Sequence, residues 1–403
     1  MTGVGGYLLY LAGPVVLGAI LLWRFPACRR IRYRDLVIYL VVMSLLISGA
    51  LYIVALLAGG RIMPREVAVV LWFTIGWRLA WTLWSRTVGR LGQRWVRWAR
   101  MRRHRHLHAP WIIRCIPAAR IACTALVFAT LFLCTVLTHR CKIADGQDPL
   151  SVFQIPYESI RIPTADGLQL DGWFVPQQHA DRTIVICHGA GANKGNFIWF
   201  LGPLAGKGYN IMFFDFRAHG GSQGRQTTYG IRERTDVEAA VTWLKHERPE
   251  QSRRIVGLGS SQGAMALALA AAEDPRIDAV ILDSPFVSPR ELVMQRARQI
   301  PILGPAMADL LLVEVSLLTR TSFFNASAEK AVASLGNRPV MIIHGDQDPV
   351  MPAAHAQRLY DAARGPRAIW FGPGPHSNIV TTAPGEYTER VYNFLNMHLG
   401  PVR

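Results

Sequence analysis

The residues with the clearest chemical potential surround Ser261. The run Gly259-Ser260-Ser261-Gln262-Gly263 places a small residue two positions before and two positions after this serine. The apolar run Ile255–Leu258 before it predicts a buried strand, and the Ala/Leu-rich run Met265–Ala272 after it predicts a helix. A serine on such a sharp strand-to-helix turn exposes its hydroxyl and lies beside backbone N–H groups that can stabilise an oxyanion. The pattern therefore predicts that Ser261 is a nucleophile.

A nucleophilic serine needs a histidine base and an acid that orients the base. Asp348 follows one predicted strand, in the run His344-Gly345-Asp346-Gln347-Asp348-Pro349, and His376 follows the next predicted strand. Functional groups in open α/β sheets collect at the carboxyl ends of parallel strands, so we expect Ser261, Asp348 and His376 to converge. The order Ser, Asp, His along the chain matches one known arrangement of these three groups.

Several neighbouring residues compete for these roles. Ser260 is adjacent to Ser261, but it occupies the variable position between Gly259 and Ser261, where the side chain is more often a packing residue than a nucleophile. Asp283, at the end of an earlier predicted strand, is the alternative acid, and Asp346 is expected to hydrogen-bond its own loop. Structural roles are expected for three further histidines that follow predicted strands: His188, His219 and His344.

From Leu150 onward, short predicted strands alternate with predicted helices, which indicates a mostly parallel sheet covered on both faces. The predicted strands are Ser159–Ile162, Leu168–Val175, Thr183–Cys187, Asn210–Phe214, Ile255–Leu258, Ala279–Leu282, Pro339–Ile343 and Arg367–Phe371. Residues 288–336 break the alternation and contain amphipathic sequence, which predicts an inserted lid. We therefore predict a doubly wound α/β domain over residues 146–403.

Residues 1–145 have a different composition. Four apolar runs are long enough to cross a bilayer, which requires about 17–25 residues. They are Val4–Trp23, Leu36–Ala58, Val67–Trp84 and Ile116–Leu137. The first run is followed by arginines rather than by a cleavage site, so it does not resemble a removable signal peptide. The sequence predicts a four-helix transmembrane module.

The positive charge lies in this module. Residues 1–145 contain 20 Lys+Arg against 3 Asp+Glu, whereas the rest of the chain is balanced. The loops 24–35 and 85–115 hold five and nine arginines, and positive loops remain cytoplasmic. The α/β domain is therefore predicted on the non-cytoplasmic side. Topology and contact with anionic lipids explain the charge, so we expect a lipid bilayer as a partner and no nucleic acid.

Six cysteines occur, at positions 28, 115, 123, 134, 141 and 187. None of them belongs to a Cys-x-x-Cys pair or to a Cys/His spacing typical of metal sites. We expect no metal and no cofactor.

Five segments of residues 155–400 resemble the α/β-hydrolase superfamily, and within it the membrane-anchored ABHD-type serine hydrolases. They are His188-Gly189 with its Gly/Asn loop, Asp215-x-Arg217-x-x-Gly220-x-Ser222, Gly259-x-Ser261-x-Gly263, His344-Gly345 with Asp348-Pro349, and His376. The resemblance implies that Ser261 is the nucleophile, His376 the general base and acid, and Asp348 the orienting acid. It also implies an oxyanion hole formed by the backbone N–H groups of Ala190 and Gln262.

The expected reaction is hydrolysis of an ester or thioester through an acyl-serine intermediate, with a small-molecule or lipid acyl substrate. The resemblance also includes serine aminopeptidases, so a peptide substrate is an alternative. A second alternative is a membrane receptor or scaffold that uses the hydrolase fold without turnover.

Overall fold

The computed structural model describes residues 126–127, 130–139, 142, 146–300 and 304–402. The first three predicted membrane spans, and residues 116–125 and 128–129 of the fourth, lie outside the described residues. Within the described ranges, no helix combines the length and the mean hydropathy needed for a bilayer crossing.

One eight-stranded sheet organises the second compact unit of the chain, Ala125–Arg403. Its strands lie in the order β1-β2-β4-β3-β5-β6-β7-β8. The pairs β1–β2 and β2–β4 are antiparallel and all the others are parallel. The strands are β1 (Glu158–Pro163), β2 (Gln169–Val175), β3 (Arg182–Cys187), β4 (Asn210–Phe214), β5 (Arg254–Ser260), β6 (Ala279–Asp283), β7 (Val340–Gly345) and β8 (Arg367–Gly372). The predicted mostly parallel α/β sheet is confirmed.

Helices cover both faces of this sheet. They are α1 (Pro149–Phe153), α2 (Leu201–Leu204), α3 (Arg234–Glu247), α4 (Gln262–Glu273), α5 (Pro289–Ala297), α6 (Gly304–Thr319), α7 (Ala328–Ala333), α8 (Ala353–Ala362), α9 (Ile379–Thr382) and α10 (Pro384–Leu399). Two 3-10 helices add to them, Gly195–Phe200 and Glu250–Ser252.

The strands β3 to β7 are buried at nearly every position because both faces of the sheet are covered. In β3, Ile184 and Ile186 join the core on one face, whereas Val185 and Cys187 join the core on the other. This alternation follows from the two-residue repeat of a strand. The sheet therefore lies between two apolar layers, and the turns at its carboxyl edge carry the polar groups.

The segment between β6 and β7 departs from the predicted lid, 288–336. Helices α5 and α6 interrupt the alternation as expected, but Ala331 and Val332 of α7 are buried in the core with Ala271 of α4. Helix α7 is therefore one of the helices that cover the sheet, and the inserted part ends before residue 328.

The residues 130–138 form a helix that packs on α6. Cys134 is fully buried and its thiol donates to the backbone oxygen of Leu311 at 3.4 Å. Cys134 also lies in an apolar cluster with Leu312, Val315 and Phe323. We predicted the boundary of the α/β domain at residue 146; the contacts of this helix associate it with that domain and with the inserted segment in particular.

Candidate active site

Ser261 lies at the N-cap of α4, on the turn that follows the central strand β5. Its backbone has φ 53° and ψ −113°, a conformation that L-residues rarely adopt. Its backbone N–H donates to the backbone oxygen of Asp283 at 2.9 Å, which ties the turn to the end of β6. The strained turn is held by the neighbouring strand, as is common at functional sites.

The two glycines of the Gly259-x-Ser261-x-Gly263 motif permit close passage of main chains. A Cβ on Gly259 would lie 2.5 Å from the backbone oxygen of Gly263. A Cβ on Gly263 would lie 2.1 Å from the backbone oxygen of Cys187 in β3. Strand and helix can therefore approach at this turn only without side chains at these two positions, as the sequence pattern predicted.

Asp348 and His376 are joined by a short hydrogen bond. His376 Nδ1 donates to Asp348 Oδ2 at 2.7 Å, and the other carboxylate oxygen accepts from the backbone N–H groups of Val350 and Met351, each at 2.8 Å. Burial favours a raised pKa for Asp348, but the donors from His376 and the loop outweigh it and hold the pKa below its usual value. Asp348 is thus an ionised acceptor that orients the imidazole and leaves Nε2 as the ring nitrogen for proton transfer.

The structure separates Asp348 from its two competitors. Asp346 accepts from the backbone N–H of Gly374 at 3.0 Å, and so holds the loop as expected. Asp283 is fully buried and bonds to the hydroxyls of Ser284, at 2.9 Å, and Tyr387, at 3.5 Å, rather than to His376.

Ser377 fastens the histidine loop by one hydrogen bond to the serine turn and by a second to the residue that follows β6. The Ser260 hydroxyl donates to the Ser377 hydroxyl at 2.6 Å. The backbone N–H of Ser377 donates to Ser284 Oγ at 2.9 Å. Since Ser260 precedes Ser261 and Ser377 follows His376, these bonds bring the predicted nucleophile and the predicted base to the same edge of the sheet.

The loop after β3 carries the predicted oxyanion group of Ala190. In the part of the chain that the structure describes, no protein acceptor takes the backbone N–H of Ala190 or of Gln262. The Cβ position of Gly189, the residue before Ala190, is 3.6 Å from Ser261 Cβ. The loop therefore lies beside the serine, with these two backbone donors unused by the protein.

Two buried histidines hold this loop. His188 Nε2 accepts from the backbone N–H of Phe216 at 3.0 Å, and His219 Nε2 accepts from the backbone N–H of Gly191 at 3.3 Å. Burial, with the nearby His219, lowers the pKa of His188 to about 3. A neutral ring that accepts from a backbone N–H suits a structural role.

Lys194 anchors the far end of the same loop. Its ammonium group is 2.8 Å from Asp215 Oδ2 and 2.9 Å from Asp171 Oδ2, and its backbone N–H donates to Asp215 Oδ1 at 2.7 Å. It also lies 4.7 Å from the centre of the Trp173 ring. A buried lysine requires such pairing, so this ion pair fixes where the loop ends.

Sequence reasoning missed the functions of Lys194, Ser284 and Ser377. The position of Lys194 directly after the Gly/Asn loop could have indicated its role. No motif indicates the roles of Ser284 and Ser377. Ser377 and its partner Ser260 are far apart in the chain and match no spacing rule. Among the described residues, no group of three or more His, Cys, Asp or Glu side chains is arranged to hold a metal ion.

The 130–138 helix reaches the site through the loop before α3. The backbone N–H of Thr227 donates to the backbone oxygen of Thr138 at 2.8 Å. The Thr227 hydroxyl contacts Glu233 Oε1 at 2.8 Å and Gln262 Oε1 at 3.2 Å. This helix is therefore connected by hydrogen bonds to the residue that follows Ser261.

Known proteins similar to this chain include a hydrolase family and uncharacterized proteins. The family model described as "Hydrolase_4: Serine aminopeptidase, S33" matches residues 178–332, which include Ser261 and end before Asp348. The uncharacterized protein YqkD of Bacillus subtilis is 31% identical over 258 residues, which cover 62% of this chain and 84% of YqkD. The uncharacterized membrane protein YNL320W of Saccharomyces cerevisiae is 26% identical over 232 residues, which cover 56% of this chain and 75% of that protein.

Among solved structures, the esterase Pf2001 of Pyrococcus furiosus superposes with a TM-score of 0.55 and 25% sequence identity. The superposition covers 65% of this chain and 100% of the esterase.

Proposed function

Because this chain belongs to the α/β-hydrolase family described as serine aminopeptidase, S33, we propose that it is a serine hydrolase that cleaves an ester or thioester bond through an acyl-serine intermediate. One observation carries the proposal: the Asp348–His376 pair is fastened, through Ser377, to the turn that bears Ser261. A base oriented by a buried carboxylate beside a serine on a strained turn is the arrangement that activates a hydroxyl.

The proposed reaction has two halves. Ser261 Oγ attacks the carbonyl carbon while its proton passes to His376 Nε2, and Asp348 stabilises the imidazolium. The oxyanion accepts hydrogen bonds from the N–H groups of Ala190 and Gln262. His376 then protonates the leaving alcohol or thiol. In the second half a water gives a proton to His376 and attacks the acyl carbon, and His376 then returns the proton to Ser261 Oγ as the carboxylic acid is released.

A fluorophosphonate probe tests the nucleophile on the full chain in detergent. We expect covalent labelling of the wild type and none of Ser261→Ala. Ser327→Ala is the matched control, because Ser327 caps α7 and has no contact with the site residues; it is expected to label as the wild type does. Labelling that survives in Ser261→Ala assigns the nucleophile elsewhere. Folded wild type that does not label supports the non-catalytic receptor or scaffold.

We favour a lipid or a long-chain acyl compound as the substrate of the proposed hydrolase. The 130–138 helix, which is the end of the predicted fourth span, packs on α6 of the inserted segment and connects to Gln262. Apolar side chains on both helices remain exposed: Phe132, Leu133, Val136, Val313 and Leu317. An inserted segment with apolar surface beside the site favours apolar substrates.

A series of p-nitrophenyl esters from acetyl to palmitoyl tests this preference. We expect kcat/KM to rise with chain length. A maximum at acetyl with no activity on longer chains would contradict the lipid assignment and leave the esterase assignment intact.

Peptide hydrolysis is the second candidate, and the serine aminopeptidase description of the family favours it. Aminoacyl p-nitroanilides separate the two candidates. The esterase proposal expects turnover of esters and thioesters at least 100-fold above that of the anilides, on the order of the discrimination that an active site reaches with specific contacts. Comparable or faster anilide hydrolysis would favour the peptidase.

We further propose that residues 1–145 anchor the enzyme in a membrane and that the hydrolase domain lies on the non-cytoplasmic side. The apolar runs and the arginine-rich loops support this, as does the name of YNL320W as a membrane protein. Protease added to sealed right-side-out vesicles is expected to remove the hydrolase domain, whereas inverted vesicles are expected to protect it. The reverse pattern would place the domain in the cytoplasm.

A further inference from the structure

Asp283 is connected to both halves of the candidate site. Its backbone oxygen accepts from the N–H of Ser261 at 2.9 Å, and its carboxylate accepts from the Ser284 hydroxyl at 2.9 Å. Ser284 Oγ in turn accepts from the N–H of Ser377, the residue after His376, at 2.9 Å. One residue at the end of β6 therefore fixes the turn of the nucleophile directly and the loop of the base through a single serine.

The hydrogen bonds around Asp283 hold backbone conformations that would otherwise relax. Ser261, Ser284 and Ser377 have φ values of 53°, 48° and 56°, in the left-handed region that favours glycine. Non-glycine residues persist there only where their surroundings determine the conformation. Each of these three serines is bonded to Asp283 or to a residue that Asp283 holds.

The Asp283 side chain differs from the other fully buried aspartates of the domain. Asp215 is paired with Lys194 and Asp236 with Arg217, so each has a cationic partner. Asp283 has no Lys or Arg partner among the described residues, and only the Ser284 and Tyr387 hydroxyls bond its carboxylate. The ionisable groups that act on it are His376, whose positive form favours its ionisation, Asp348, whose charge opposes it, and Tyr387.

A buried carboxylate without a cationic Lys or Arg partner can act electrostatically on an imidazole in the same site. Burial raises the pKa of Asp283 to about 6, so the group ionises at neutral pH at a cost in stability. Its negative charge then acts on His376 together with that of Asp348, which bonds the ring directly. This arrangement favours the positively charged ring that forms when Ser261 gives up its proton.

We propose that Asp283 is a positioning residue for His376: it holds the histidine loop through Ser284 and Ser377, and its negative charge supplements that of Asp348 in stabilising the imidazolium. This inference rests on the proposed serine hydrolase function. It assigns Asp283 no contact with substrate, so its effect is on kcat rather than on KM.

The Asp283→Asn variant of the full chain tests the charge, because asparagine keeps the oxygen that accepts from Ser284. We expect kcat for a p-nitrophenyl ester to fall about 10- to 100-fold, because one of the two negative charges that stabilise the imidazolium is removed, while KM stays within about twofold. The charge acts only where Asp283 is ionised, and its pKa is about 6. The ratio of wild-type kcat to variant kcat is therefore expected to fall as the pH is lowered from about 8 to about 5, because a protonated Asp283 carries no charge.

Ser284→Ala tests the connection to Ser377 and leaves the carboxylate in place. We expect kcat to fall in this variant by about the same factor at pH 5 and at pH 8, because the carboxylate is retained. Asp274→Asn is the matched control, since Asp274 is a largely buried aspartate paired with Arg276 after α4, away from the site. Its kcat and pH profile are expected to be those of the wild type.

Wild-type kcat at pH 8 in folded Asp283→Asn would overturn the inference. If that variant does not fold, wild-type kcat in folded Ser284→Ala overturns it instead. Failure of the proposed function is a separate result, because it appears as ester hydrolysis that persists in Ser261→Ala.

Discussion

The hydroxyl of Ser260 donates to the hydroxyl of Ser377 at 2.6 Å, across 117 positions of the chain. Ser260 is fully buried and Ser377 has a left-handed backbone. Each is the chain neighbour of a residue to which we assign chemistry, Ser261 in one case and His376 in the other. The bond therefore sets the relative position of the two loops that carry the proposed nucleophile and the proposed base.

We expect Ser260→Ala and Ser377→Ala each to lower kcat several-fold and to destabilise the fold by about 1 kcal/mol, the usual contribution of one hydrogen bond. The double variant is expected to be little worse than either single variant, because both remove the same interaction. Urea unfolding and steady-state kinetics of the four proteins measure this coupling. Fully additive effects on kcat would contradict a shared role.

Asp348→Asn is expected to reduce kcat by about 10³–10⁴-fold, because an amide no longer selects the imidazole tautomer or stabilises the imidazolium. Asp346→Asn is the matched control two positions away. Its oxygen still accepts from Gly374, so we expect kcat within a few-fold of the wild type. Equal losses of kcat in the two variants would mean that kcat depends on the conformation of the loop rather than on the carboxylate of Asp348.

Gly263→Ala is expected to destabilise the domain by about 3 kcal/mol or more, since its methyl group would overlap the backbone oxygen of Cys187 and overpacking of this kind is costly. Gly385→Ala is the control: it lies in α10 with no atom within 4 Å of the new methyl group. Alanine is the better helix former, so this variant is expected to gain a few tenths of a kcal/mol or more. Thermal unfolding compares the two, and a Gly263→Ala protein as stable as the wild type would be inconsistent with the close passage of β3 and α4.

Asp283 is expected to make stability depend on pH with a definite sign. Its pKa is about 6 in the folded protein and 3.8 when unperturbed. Between these values the folded state binds more protons than the unfolded state, so the contribution of this group to stability falls as pH rises through the window from about 4 to 6. Between acid pH and pH 8, Asp283 is expected to lower the free energy of unfolding by about 3 kcal/mol, because each unit of pKa difference corresponds to about 1.4 kcal/mol.

Urea unfolding of Asp283→Asn and of the wild type at pH 5 and pH 8 measures this dependence. We expect the free energy of unfolding of the variant, minus that of the wild type, to be larger at pH 8 than at pH 5. Parallel pH dependence of the two proteins would show that the Asp283 carboxylate is not destabilised by burial.

The elements of the α/β domain were predictable because their patterns are local. Continuous apolar runs such as Thr183–Cys187 indicate strands buried on both faces, and all eight strands occur where predicted to within a few residues. The glycines of Gly259-x-Ser261-x-Gly263 identify the turn, because only small residues allow the close passage observed there. The predicted lid was too long, since the apolar face of the short α7 packs on α4 and nothing in its own sequence shows this.

The candidate site, like the fold, was predictable from the sequence only in part. The sequence alone identified Ser261, Asp348 and His376 as the candidate catalytic residues, because functional groups of open α/β sheets follow parallel strands at positions that the strand pattern reveals. Only the tertiary structure decided that Asp348 rather than Asp283 bonds His376, and that Ser260, Ser284 and Ser377 join the loops. The physical reason is that such hydrogen bonds, and the burial that raises the pKa of Asp283, depend on distances between segments far apart in the chain. Those distances leave no period or spacing in the sequence itself.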